Sequence, residues 1–253
     1  MTRYAGQRQP RTITVLMALI AFGGAADSAW AQLAPPVKQA QPLRQAAPVK
    51  QAAPAMPAAP SAATPAPADP IVAEITGFRS ARFGVTELQV REAIARDFSS
   101  GTDAVQSQEN KAEQTNVLII HAPDVLPGGG MASVSYVFGF KSKMLIQVGL
   151  SWSKATDAKM TPEQLFSDAN VLQSHFISAG YKPDTVATNM PINGGILMFR
   201  GSDAQQRTTM LILQGASSQG ENNQRQMTPT GLLLFYVADA KTPDVYRLAS
   251  GSF

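Results

Sequence analysis

The chain has 253 residues, 44% of them apolar, with 21 Lys+Arg against 18 Asp+Glu, two histidines and no cysteine. The lack of cysteine excludes disulfides, a thiol nucleophile and a lipid-modified N-terminal Cys. The formal charge of +3 is no nucleic-acid signature, because residues 71–253 hold 15 Lys+Arg and 16 Asp+Glu, with no basic run and no basic–aromatic interleaving.

Arg3, Arg8 and Arg11 precede an apolar run over residues 13–26, and Ala29-Trp30-Ala31 supplies a small-x-small cleavage pattern. That order predicts a secretory signal peptide over residues 1–31. The run is shorter than the ~20 residues of a membrane-crossing helix, so no stable membrane anchor is expected after cleavage. No Arg-Arg pair marks a twin-arginine route. The expected location is the periplasm, or outside the cell.

Residues 32–70 are mostly Ala, Pro and Gln, and Ala-Pro-Pro-Val-Lys-Gln-Ala is followed by the near-copy Ala-Ala-Pro-Val-Lys-Gln-Ala. Such a segment buries too little apolar surface to offset its ordering entropy, and is predicted to be a disordered or polyproline-like linker. Extended at ~3.1 Å per residue it reaches on the order of 120 Å. Lys38, Arg44 and Lys50 punctuate it, which suits a solvated spacer or an arm that touches acidic polymers.

Residues 71–253 are long enough for one domain with a sizeable core. Residues 71–75 read as a short opening strand. A helix follows to Phe98: Thr86 caps it, Gln89 stands at capping-box spacing, and Glu87 meets the helix dipole in the first turn. Val90, Ala93, Ile94 and Phe98 form its apolar stripe, while Glu87–Arg91 and Glu92–Arg96 are favourable i,i+4 pairs. Gly101 is the expected stop.

Residues 116–121 read as a buried strand, closed by Pro123-Asp124 and Pro127-Gly128-Gly129-Gly130. Residues 132–140 and 143–152 alternate as an antiparallel hairpin turning at Lys141-Ser142. One face carries Val134, Tyr136, Phe138 and Phe140, then Met144, Ile146, Val148, Leu150 and Trp152. The other carries Gln147, Gly149 and Ser151 and can meet water.

The second helix is marked by Thr161 as cap, Pro162 at the first position and Gln164 completing the box. Its stripe is Leu165, Phe166, Ala169, Leu172, Phe176 and Ala179, and Gly180 ends it. Strands are expected at 195–200, 208–214 and 232–238, with a long polar loop over 215–230. The tail, 242–253, reads as irregular.

Aligning the stops Gly101 and Gly180 sets Val117-Leu118-Ile119-Ile120 against Ile196-Leu197-Met198-Phe199, and Asp124 against Asp203. The expectation is an α+β fold of two helix-then-antiparallel-strands units, 71–155 and 156–253, packed as one domain.

The helix start Phe83-Gly84-Val85-Thr86, followed by Gln89-Val90, resembles the Gly-Met-Ser/Thr-x-x-Glu/Gln-Val start of small bacterial envelope domains. Those include the small lipoprotein of the outer-membrane β-barrel assembly machinery and the tandem-repeat β-lactamase inhibitor protein. The likeness covers about nine residues plus the α-then-β order. This chain lacks both the lipoprotein cysteine and the inhibitor's disulfide cysteines. The resemblance implies protein binding rather than catalysis, and carries over no binding residue.

The chemistry-bearing residues are sparse. His121 and His175 have no His, Asp or Glu at metal-ligand spacing beside them, and no Gly-x-Ser-x-Gly elbow occurs. Pro127-Gly128-Gly129-Gly130 lacks the Lys-Ser/Thr of a phosphate loop and precedes a strand. Asp124 and Asp203 are candidates for a carboxylate pair acting on a glycan, though Asp in such places is usually a turn residue. Tyr136, Phe138, Phe140 and Trp152 are either core or the lining of a binding groove. No catalytic, cofactor or metal site is expected. The reading is an exported, non-catalytic envelope protein that binds a protein partner or an envelope polymer and does not bind nucleic acid. The alternatives are a cell-envelope hydrolase with paired carboxylates and a carrier of a small apolar ligand.

Overall fold

The computed structural model describes residues 73–98, 104–123, 125–219 and 225–248. The expected signal peptide, the linker, the Gly101 stop, Asp124 and residues 249–253 of the tail lie outside the described residues.

The fold is mixed α+β and mostly β. After a two-stranded hairpin, β1 (Gly77–Phe78) and β2 (Ala81–Arg82), come helix α1 (Glu87–Phe98) and strands β3 (Gln106–Asn110), β4 (Thr115–Pro123), β5 (Met131–Phe138) and β6 (Leu145–Ser153). Helix α2 (Pro162–Ser178) follows, then β7 (Ala187–Ile192), β8 (Gly195–Ser202), β9 (Thr208–Gln219) and β10 (Arg225–Val237). Strands β3 to β10 form one antiparallel sheet of eight strands, ordered β3-β4-β5-β6-β10-β9-β8-β7. Each helix is thus followed by a four-strand meander. The meanders meet where Leu150 pairs with Leu234 and Trp152 with Leu232.

The helices start where the capping residues place them. At α1 the Thr86 N–H donates to Gln89 Oε1 (2.9 Å), the Gln89 N–H reaches the Thr86 hydroxyl at 3.5 Å, and Arg91 pairs with Glu87 at 2.8 Å. At α2 the Gln164 N–H donates to the Thr161 hydroxyl at 3.1 Å. Gln164 does not complete that box. Its amide donates instead to Asp168 (2.7 Å) and to the Gly128 carbonyl (3.3 Å).

Both helices lie on the same face of the sheet. Val90, Ala93 and Ile94 of α1 and Leu165, Ala169 and Phe176 of α2 join one buried cluster with Leu118, Ile120, Val134, Phe199, Leu211, Leu213, Leu232 and Leu234. Those strand residues alternate along their strands, so one set of side chains builds the whole core. Phe176 stacks on Phe199 at 5.4 Å and meets Tyr181 and Tyr236 edge-on. Full burial of each such side chain stabilises by about 1.5–3 kcal/mol.

The structure corrects several expectations. Residues 73–75 are not a strand: the Ala73 N–H donates to the Gly180 carbonyl (3.0 Å) and the Ile75 N–H to the Asp203 carboxylate (3.0 Å). Strands β3 and β7 are unanticipated edge strands, mostly exposed, whose residues Gln-Ser-Gln-Glu-Asn and Ala-Thr-Asn-Met-Pro-Ile show no apolar alternation. The expected loop over 215–230 is largely strand, with Ala216 paired to Thr228 and a register shift between Pro229 and Gly231; residues 220–224 lie outside the described set. A register shift between Val137 and Phe138 sets Leu145 opposite Phe138, so Leu145 enters the core and Met144 stays exposed. On α2, Phe166 is 52% exposed, because it is rotated one residue off the stripe that Leu165 and Ala169 bury.

The two caps differ in how far they depend on their hydroxyl. Thr161→Ala is expected to cost about 1 kcal/mol. Thr86→Ala should cost less, because Gln89 still accepts the residue-86 N–H without the hydroxyl. Urea denaturation midpoints of the two variants against the parent chain check the order.

Candidate functional site

Three of the four aromatic residues singled out in the sequence lie in the core. Tyr136 (0%), Trp152 (1%) and Phe138 (2%) are covered by the helices, because they share the alternation of the buried cluster. Their polar atoms gain nothing there: the Tyr136 hydroxyl and the Trp152 indole N–H have no hydrogen-bond partner among the described residues. Burial pushes the Tyr136 phenol well up, and the charge of Asp97 adds to the push. Phe140 lies beyond the end of β5. Its ring meets Tyr246 at 5.5 Å, and its N–H donates to the Asp244 carbonyl. These four residues do not line a common groove.

The titratable candidates are also placed. His121 is exposed on β4, and His175 is exposed in the last turn of α2, 5.3 Å from the Phe176 ring. Asp203 is fully buried, and its carboxylate accepts the N–H groups of Ile75, Gln205 and Arg207 and the Arg207 Nε (2.6 Å). Both its oxygens are committed to holding chain, which leaves none for acid–base work. Among the described residues no His, Asp or Glu side chains group as a metal set. The Gly128–Gly130 segment is a turn with positive φ at Gly128 and Gly130, and the Asp157 carboxylate accepts the neighbouring Met131 N–H. That negative charge disfavours a phosphate at the turn.

The residues that alternate with the core point to the other face of the sheet. They include Val117, Ile119, Val137, Leu197, Ile212 and Val237, all with low exposure, and the half-buried Met210, Leu233 and Phe235. Around them stand amides and hydroxyls such as Gln106, Gln108, Gln214, Ser133 and Ser151. Among the described strand residues this face carries no carboxylate, and its charge comes from Arg200. Neither helix lies over it. The sequence showed half of this pattern. Gln147, Gly149 and Ser151 marked the second face, but the continuous apolar runs of β4, β9 and β10 hid which residues belong to it.

A concavity of about 460 Å³ lies between the segment 73–82 and the C-terminal end of α2. Arg82, His175, Tyr181 and Tyr236 are among the residues that line it. They come from segments far apart in the chain, so no local pattern could reveal it.

Neither a protein-family model, nor a curated protein, nor a solved structure matches this chain. Among the described residues no helix is long and apolar enough to cross a membrane.

Asp168, on the buried side of α2, is the one acid in the core whose second oxygen has no partner among the described residues. Desolvation raises its pKa, partly offset by the Gln164 amide. A raised folded-state pKa favours the protonated form, so the contribution is full below the unfolded value of about 3.9 and is lost as pH rises through the folded value. Asp168→Asn is expected to stabilise the protein by about 1 kcal/mol at neutral pH, with the gain shrinking towards pH 3. Thermal melts of both chains across pH 3–8 check the sign. Asp203→Ala is expected to cost about 3–5 kcal/mol, because it leaves Arg207 and three N–H groups without their acceptor; denaturant titration measures it.

Proposed function

We propose that this is an exported, non-catalytic protein of the bacterial envelope, acting in the periplasm or outside the cell by binding a protein partner through the helix-free face of its sheet. One observation carries the reading: a broad face with an apolar floor, an amide and hydroxyl rim and, among the described strand residues, no carboxylate, which neither helix covers. Interaction surfaces combine such an apolar centre with a polar rim. With Arg200 as its charge and no acid among the described strand residues to repel one, the face suits a partner that presents carboxylates. The leader-like N-terminus and the Ala/Pro/Gln-rich segment support export and a tethered binding domain. The full commitment of the Asp203 oxygens weighs against a hydrolase working through that residue.

The same reading takes the halves 71–155 and 156–253 as copies of one helix-and-meander unit. Their mirrored strand order supports it, and so does the placement of Val117-Leu118-Ile119-Ile120 and Ile196-Leu197-Met198-Phe199 on the second strand of each meander.

The test is a crosslinking pull-down from the envelope fraction with the full-length mature chain and with Leu233→Asp, Phe235→Asp and, as control, Leu88→Asp on α1. A protein crosslinked to the parent and to Leu88→Asp, and at least tenfold depleted from the two sheet variants, is the expected result. Equal recovery by all four chains, or recovery of glycan in place of protein, overturns the reading.

A further inference from the structure

The cleft between residues 73–82 and the end of α2 is separate from the sheet face and from everything the binding role above requires. The β1–β2 hairpin forms one wall. Its turn is held firmly: the Ser80 N–H and hydroxyl donate to the Asp97 carboxylate (2.9 and 2.6 Å), and Arg79 Nη1 donates to the Asp97 carbonyl. Arg79 itself sits at φ +52° with its guanidinium 4.6 Å from the centre of the Phe98 ring. A non-glycine residue in that region is strained and persists only where its surroundings fix it. Gly77 is obligatory, because a Cβ there would lie 2.0 Å from the Ala81 carbonyl oxygen. This wall is therefore built rather than incidental.

The wall from α2 and β10 is aromatic, and Phe78 of the hairpin closes onto it. Phe78 stacks on Tyr236 at 6.0 Å, and Tyr236 meets Phe176 edge-on at 6.4 Å. The charges facing the cleft are unevenly matched. Glu74 is the one acid of the lining; it lies 3.7 Å from Arg207, which is already bound to Asp203, and it faces two cations of the same lining, Arg79 and Arg82. Arg82 donates to the Thr76 hydroxyl, a neutral partner, and has no carboxylate against it among the described residues. His175 stands at the same mouth, exposed. The Tyr236 hydroxyl has no partner among the described residues. Burial pushes its phenol well up, so it stays an O–H donor. The Tyr181 hydroxyl is already bound to Thr209 at 2.9 Å.

We propose that this cleft binds a small planar aromatic molecule bearing one anionic group, its ring against Phe78 and Tyr236 and its anion on Arg82 with the Tyr236 hydroxyl. A volume of about 460 Å³ falls in the range of small-molecule sites. A carboxylate and a phosphate share this chemistry, and the probes below separate them.

The experiment is an amide-shift NMR titration of the full chain with benzoate, phenyl phosphate and neutral benzyl alcohol. Shifts confined to residues 73–82, 175–181 and 236, stronger for the anions than for the alcohol, are expected. Arg82→Gln should weaken the preferred anion about tenfold and leave benzyl alcohol unchanged. Tyr236→Phe should weaken the anion less and keep the stacking. Shifts that spread over the sheet face, or no shift up to millimolar probe, overturn the proposal. So does an Arg82→Gln variant, folded by its melt, that binds anion and alcohol as the parent does. None of these outcomes touches partner capture through Leu233 and Phe235.

Discussion

The structure depends on one packing constraint: two helices share one face of one sheet. A single helix over four short strands encloses a small core, and small cores are marginal. Here the two meanders join edge to edge, so the side chains under α1 and α2 merge into one continuous cluster from Leu118 to Leu213. The join between β6 and β10 turns two small cores into one continuous, wider one. It also leaves the sheet with an edge at either end, β3 and β7. Glu109 stands in β3, while Pro191 and the positive-φ Asn189 interrupt β7, features that discourage pairing with a further strand.

The same arrangement produces the face proposed for binding. Strands covered on one side alternate between a core set and an outward set. In β4, β9 and β10 the outward set is apolar too, which a solvated face alone would not require. Leu233 and Phe235 stand half-buried where a polar residue would serve solubility better. A surplus of apolar side chains on a face that neither helix covers supports the binding role proposed above.

Much of the architecture was legible because its signals are local. Thr86 and Thr161 placed the helix starts, and the alternation in residues 132–138 and 145–152 placed the central hairpin. What escaped has definite physical causes. Strands β3 and β7 are exposed at the sheet edges and have little side-chain burial to encode. The β9–β10 hairpin continues through a polar stretch, because its backbone ladder needs no apolar side chains and Pro229 sits at a register shift. One slip at Val137–Phe138 was enough to exchange Leu145 for Met144 at the core, since a one-residue shift moves a side chain to the other face. The site was harder still. Aromatic residues in an alternating strand carry the same signature whether they fill a core or line a groove, and Tyr136, Phe138 and Trp152 fill the core. The cleft joins the hairpin at 77–82 to the end of α2 and to Tyr236, a meeting that only the tertiary fold arranges.

The fastening of Ile75 to Asp203 spans 128 residues of sequence. Loop-closure entropy rises only slowly with length, so this contact is governed by when its partner residues are in place. Asp203 is set in place only once β8 and the turn to β9 exist, because its remaining bonds come from Gln205 and Arg207. The N-terminal edge of the domain, first to leave the ribosome, therefore waits for the second half before it is fixed. A chain interrupted before β8 would carry a loose front end however complete its first helix and meander were. The completed domain is sealed at its beginning by residues made near its end.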